Sequence, residues 1–156
     1  MKKSFFLFFS ILLFSCSTEE EAPEVIPEPE PTTFLEKYNN TAWENEDVGR
    51  IGFENDTSRF LWNIGLLECN YFSDNISFEE DGNTYSIQIA RNIPEEFIYS
   101  ISLTDGENTA SYVRVMTVSN DVLTENIALT INGEIDGDPA EIQYNLLSNT
   151  LTSYCN

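Results

Sequence analysis

Phe97-Ile98-Tyr99-Ser100-Ile101-Ser102-Leu103 sets Phe97, Tyr99, Ile101 and Leu103 at every second position. Successive side chains of a strand point to opposite faces, so these four share one face, whereas a helix would scatter them around its axis. The same period of two recurs on both sides, in Ile51/Phe53, Phe60/Trp62/Ile64, Ile76/Phe78, Tyr85/Ile87/Ile89, Ile127/Leu129/Ile131 and Ile142/Tyr144/Leu146. Turn chemistry separates the runs: Glu54-Asn55-Asp56, Asp81-Gly82-Asn83, Asp105-Gly106, Ser119-Asn120-Asp121, Asp136-Gly137-Asp138-Pro139 and Ser148-Asn149. Those spacings suit hairpins, not crossover helices, and predict an all-β antiparallel meander. About eight to ten short strands with one apolar face bury that face by curling, which predicts a β-barrel or a strongly bent sandwich. Ahead of the strands, Thr33-Phe34-Leu35-Glu36 has the form of a capping box, so a short helix opens the domain, anchored by Phe34, Leu35 and Tyr38 and ended by Asn39-Asn40.

A short helix followed by Asn40-Thr41-Ala42-Trp43 at the head of such a meander resembles the lipocalin-like proteins, with Thr41 standing where that family carries a glycine. The resemblance covers residues 34–156. It implies a barrel whose closed end is packed by Trp43, and an interior able to hold a small apolar molecule.

The N-terminus points to a location. Lys2 and Lys3, then the apolar run Phe5 to Phe14, then the small Ser15 have the layout of a leader. The run is too short to span a bilayer. Leu13-Phe14-Ser15-Cys16 resembles the lipobox of bacterial lipoproteins, which implies removal of residues 1–15 and acylation of Cys16. Residues 16–33 are rich in proline and glutamate and read as an extended tether, at about 3.1 Å per residue. The acidic run Glu19 to Glu21 resembles the surface-export signal of some Gram-negative lipoproteins, so the expected address is the outer membrane, facing the cell surface, with the periplasmic face as the alternative.

Seven basic residues against 27 acidic ones give a net charge of −20. Loss of Lys2 and Lys3 with the leader makes the mature chain more acidic still. Such a surface repels phosphate, and nucleic-acid binding is excluded on that ground. With Cys16 assigned to lipid, Cys69 and Cys155 form an even pair in an oxidising compartment, and a disulfide between them is expected. Two free thiols are the alternative if the positions lie too far apart. The final run, Thr150 to Cys155, is read as a last strand held by that bond.

The chain has no histidine and no spare thiol, which removes serine–histidine and cysteine–histidine nucleophiles. Glu79/Glu80 and Glu95/Glu96 are adjacent pairs on strands, and their side chains diverge. No enzyme activity and no cofactor are expected. Asn132 to Asp138 imitates a calcium loop, but Gln143 occupies the place that needs a bidentate glutamate, and Ile131 to Ile135 read as one alternating strand ending in an Asp-Gly turn, so no metal is assigned. Arg114 lies in Tyr112-Val113-Arg114-Val115-Met116, apolar on both sides. If Tyr112 and Met116 face inward, Arg114 is an interior cation for an amphipathic ligand. If Val113 and Val115 do, it is an outer residue paired with glutamate, and this reading is favoured because arginine is seldom buried unpaired. The candidate ligand-binding residues are therefore Trp62, Tyr85, Tyr99, Tyr112 and Arg114. The rival function is a module that engages a protein or glycan through its outer surface.

Overall fold

The computed structural model describes residues 29–65 and 69–155. Cys16, the leader and Glu19 to Glu21 lie outside the described residues. The capping box forms as read: Thr33 Oγ1 accepts from the Glu36 amide at 3.1 Å, and Glu36 Oε2 accepts from the Thr33 amide at 3.1 Å. It starts a single helical turn, α1 (Phe34–Lys37), whose Phe34 and Leu35 are buried. One turn has too few internal bonds to stand alone. It is held from outside: the Leu35 amide donates to Asn92 Oδ1, and the Phe34 ring packs on Phe53 and Phe97 at 5.2 and 5.8 Å.

Eleven antiparallel strands follow: β1 (Thr41–Asn45), β2 (Gly49–Phe53), β3 (Leu61–Ile64), β4 (Cys69–Phe72), β5 (Ile76–Glu80), β6 (Asn83–Ile93), β7 (Glu96–Thr104), β8 (Thr109–Ser119), β9 (Val122–Ile131), β10 (Glu134–Ile135) and β11 (Ala140–Thr150). Asp81-Gly82 and Asn120-Asp121 have positive φ at both residues, the backbone that matches the twist of a two-residue hairpin. Asn132-Gly133 does the same, at φ 53° and 86°. The stretch Ile131 to Ile135, read as one strand, is therefore broken by a turn, with β10 folding back on β9.

The strand order is β4-β3-β2-β1-β11-β9-β8-β7-β6-β5. Among the described residues two consecutive pairs make no ladder: β10 folds back on β9 and leaves β11 to pair with β9 and β1, and β4 and β5 are the two ends of the sheet. The expected barrel closure is absent at that seam. On the free edge of β6, beyond its pairing with β5, the Ile89 amide donates to the side chain of Asp74 at 3.1 Å, so a loop carboxylate stands where a strand would have continued. The sheet nonetheless curls enough for its two halves to share one core. Phe60 and Phe72 from the short half meet Tyr99 of β7 at ring separations of 5.5 and 6.3 Å. Trp43, Phe53, Leu61, Phe97, Met116, Leu123 and Tyr144 complete that core. Trp43 lies at its helix-covered end, its Nε1 donating to Thr41 Oγ1 at 2.9 Å, so the threonine in the glycine's place is used as a partner.

The C-terminus departs from expectation. It is not a strand beyond Thr150 but a 3₁₀ turn, Leu151–Ser153, because the Leu151 and Thr152 amides donate to the carbonyl and side chain of Asn40 rather than to a ladder. Leu151 seals a small second core with Ala42 and Ile64 on the outer face of the sheet. Gly52 makes room for it, since a Cβ there would stand 2.5 Å from Leu151 Cδ1. Cys69 and Cys155 are joined by a disulfide, with Cα atoms 5.7 Å apart.

Candidate inner-face binding site

The parity of β8 is fixed by Met116, which is fully buried in the core. Residues two apart share a face, so Arg114 and Tyr112 point inward as well. The outer placement favoured for Arg114 is thereby corrected. The physical reason is a partner that periodicity leaves unmarked. Glu125 on β9 lies on the same face, next to Arg114 along the sheet, because Met116 pairs with Glu125 and Arg114 with Ile127. Its side chain is 1% exposed, its Oε1 is 3.1 Å from Arg114 Nη1, and its Oε2 accepts from the Tyr144 hydroxyl at 3.0 Å. Arg114 Nη1 also donates to the Tyr99 hydroxyl at 3.1 Å. The four side chains form one polar network inside an otherwise apolar core.

Burial raises both tyrosines' pKa values, Tyr99 to about 12, with the Glu125 charge adding to the effect in each. Burial works against the Arg114 cation, yet the Tyr99 hydroxyl and the Glu125 carboxylate beside it outweigh that and raise its pKa. At neutral pH the guanidinium is charged and both phenols are protonated.

Above this network is a cleft of about 180 Å³, bordered by Arg50 and Leu61 from the short half of the sheet and by Ile101, Arg114, Glu125 and Tyr144 from the long half. Ligand pockets for whole drug-sized molecules are typically ~300–1,000 Å³, so this cleft is sized for one end of a molecule. The inner face continues past it. β6 to β9 are longer than β1 to β4, and their ends carry Tyr85, Leu103, Tyr112 and Ile131 on the inner face beyond the core, with no opposite wall among the described residues. Tyr112 is 51% exposed and Leu103 37%, while Phe78 of β5 stacks on Tyr85 at 5.1 Å. Register makes the face continuous, because Ile101, which borders the cleft, is the cross-strand partner of Tyr112.

Of the residues singled out from the sequence, Tyr85, Tyr99, Tyr112 and Arg114 come together on this face. Trp62 does not. It lies on the outer face beside Leu151 and the disulfide, with the Arg59 guanidinium 4.5 Å from its ring centre and its Nε1 donating to Glu54. It was grouped with the inner residues because Phe60, Trp62 and Ile64 read as one alternating face. Phe60 in fact precedes β3 and turns into the core, whereas Trp62 and Ile64 face outward. Glu125 and Tyr144 were missed as site residues. For Glu125 the signal was the alternation Leu123/Glu125/Ile127/Leu129, which sets a carboxylate on a core-facing row.

Comparison with protein-family models, with curated proteins and with solved structures finds no match to this chain.

Proposed function

We propose that the chain is a lipid-anchored, non-catalytic binding protein of a Gram-negative outer membrane, held through Cys16 on a surface-facing acidic tether. Its lipocalin-like β domain takes a small apolar or amphipathic molecule. The apolar part lies along Tyr85, Leu103 and Tyr112, and the polar end enters the cleft at Arg114. The observation that supports this reading is the continuity of that face: it runs without interruption from exposed aromatic side chains to a buried polar network. Apolar surface left uncovered next to convergent polar groups is the usual signature of a ligand site. The lipocalin-like reading of the architecture rests on the curled meander and the buried Trp43. The anchor rests on the Leu13-to-Cys16 motif, since two or more acyl chains give stable attachment where one does not.

A second reading, glycan or protein binding on the outer face, is favoured by a groove of about 350 Å³ bordered by Trp62, Arg59, Glu54 and Thr152. Tyr71, 58% exposed, packs beside Trp62 at 5.8 Å. Native mass spectrometry of the full chain purified from its own host separates the two. Retention of a small apolar molecule is expected on the first reading, and an unliganded mass together with binding to a glycan array would replace it with the second.

A further inference from the structure

Two atoms at the base of the cleft are left over. Arg114 Nε and Glu125 Oε1 are both buried, and neither has a hydrogen-bond partner among the described residues. Oε1 is close to Nη1 of Arg114, but in a geometry that makes an ion contact and no hydrogen bond. Buried polar atoms are nearly always paired, so an orphaned donor beside an orphaned acceptor in one cleft marks where a missing partner belongs. The charges of the pair cancel. What remains unmet is one N–H and one carboxylate oxygen.

We infer that the polar end of the ligand is an uncharged group that both donates and accepts, a hydroxyl or a primary carboxamide. This rests on the inner face being the ligand site and specifies its chemistry. A hydroxyl accepts from Arg114 Nε and donates to Glu125 Oε1, and a carboxamide does the same with its oxygen and nitrogen. A carboxylate would satisfy Nε but face Oε1 with like charge. An ammonium would satisfy Oε1 but meet the guanidinium. Access comes through Arg114, whose side chain is 29% exposed against 1% for Glu125, so the guanidinium swings while the carboxylate, held by Tyr144, stays. Arg114 and Glu125 together are thus specificity-determining residues that select against charged ligands.

The test uses full-length protein in nanodiscs, titrated calorimetrically with octanol, octanamide, octanoate and octylamine at neutral pH, with empty nanodiscs subtracted. The acid and the amine are then both charged. Octanol and octanamide are expected to bind about tenfold or more tightly than either charged analogue, the scale set by hydrogen bonds to charged groups. In Glu125→Gln, the Arg114 charge is no longer cancelled, and octanoate should gain about tenfold while octanol changes little. Octanoate binding wild type as tightly as octanol would overturn the inference and leave the ligand site standing. Failure of all four to bind would overturn the site itself. The wild-type ranking needs no variant, so a Glu125→Gln protein that does not fold leaves the test intact.

Discussion

Two arginine–glutamate pairs lie on opposite faces of the same sheet, and each touches an aromatic ring. Arg59 pairs with Glu54 on the outside, over Trp62, with both side chains partly in water, at 36% and 24% exposure. Arg114 pairs with Glu125 on the inside, against Tyr99, with the glutamate sealed. The outer pair is satisfied by several hydrogen bonds, whereas the inner pair keeps an unmet donor and acceptor. The contacts are chemically alike, so environment decides their roles. In water such a pair is nearly free to break, while inside it is expensive to make and more expensive to break halfway.

The largest expected effect breaks the inner pair on one side. Arg114→Met leaves the buried Glu125 carboxylate without its cation and should cost about 3–5 kcal/mol in urea unfolding, and adding Glu125→Leu should recover most of it. Non-recovery in the double variant would show that Arg114 acts through packing alone. On the outer face, the covalent tie at Cys69 and Cys155 does what no surface ion pair can. Cys155→Ser should lower stability by about 2–5 kcal/mol, and reducing agent should bring the wild type to the same midpoint. Equal midpoints for oxidised wild type and the variant would remove the disulfide from the account.

Alkaline pH sharpens the contrast further. Tyr99 has an ordinary pKa of 10 when unfolded and about 12 when folded, because burial disfavours the phenolate. The folded state therefore keeps a proton that the unfolded state gives up. Stability is fully present below pH 10 and falls as pH rises toward 12, by on the order of 2–3 kcal/mol from this one group. Tyr99→Phe should flatten the fall, and an unchanged slope would place its source elsewhere. The smallest effect belongs to the outer pair: Arg59→Ala should leave the unfolding midpoint where it is.

Much of this architecture was legible from period and turn chemistry. The runs around Phe97 to Leu103 and Tyr85 to Ile89 became the long strands β7 and β6, and the capping box at Thr33 and Glu36 formed as read. Local rules failed where two elements compete for the same backbone. Asn40 takes the Leu151 and Thr152 amides and turns a terminal strand into a 3₁₀ turn, a contact between residues more than a hundred positions apart. Asn132-Gly133 is a readable turn signal, but the apolar alternation of Ile131 and Ile135 runs through it and masks it. The orientation of Arg114 was not legible from β8 alone, where both faces are apolar. It needed Glu125, and the two meet only through the β8–β9 register.

The central claim is that the inner face, not the outer groove, receives the ligand. Its most direct test is the mass of the molecule retained by the full chain from its own host when one exposed tyrosine on each face is replaced, Tyr112→Asp inside and Tyr71→Asp outside. Both side chains are more than half exposed, so neither change disturbs the core. The account predicts that Tyr112→Asp loses the bound molecule while Tyr71→Asp retains it at the wild-type level. Retention by Tyr112→Asp with loss by Tyr71→Asp would contradict it.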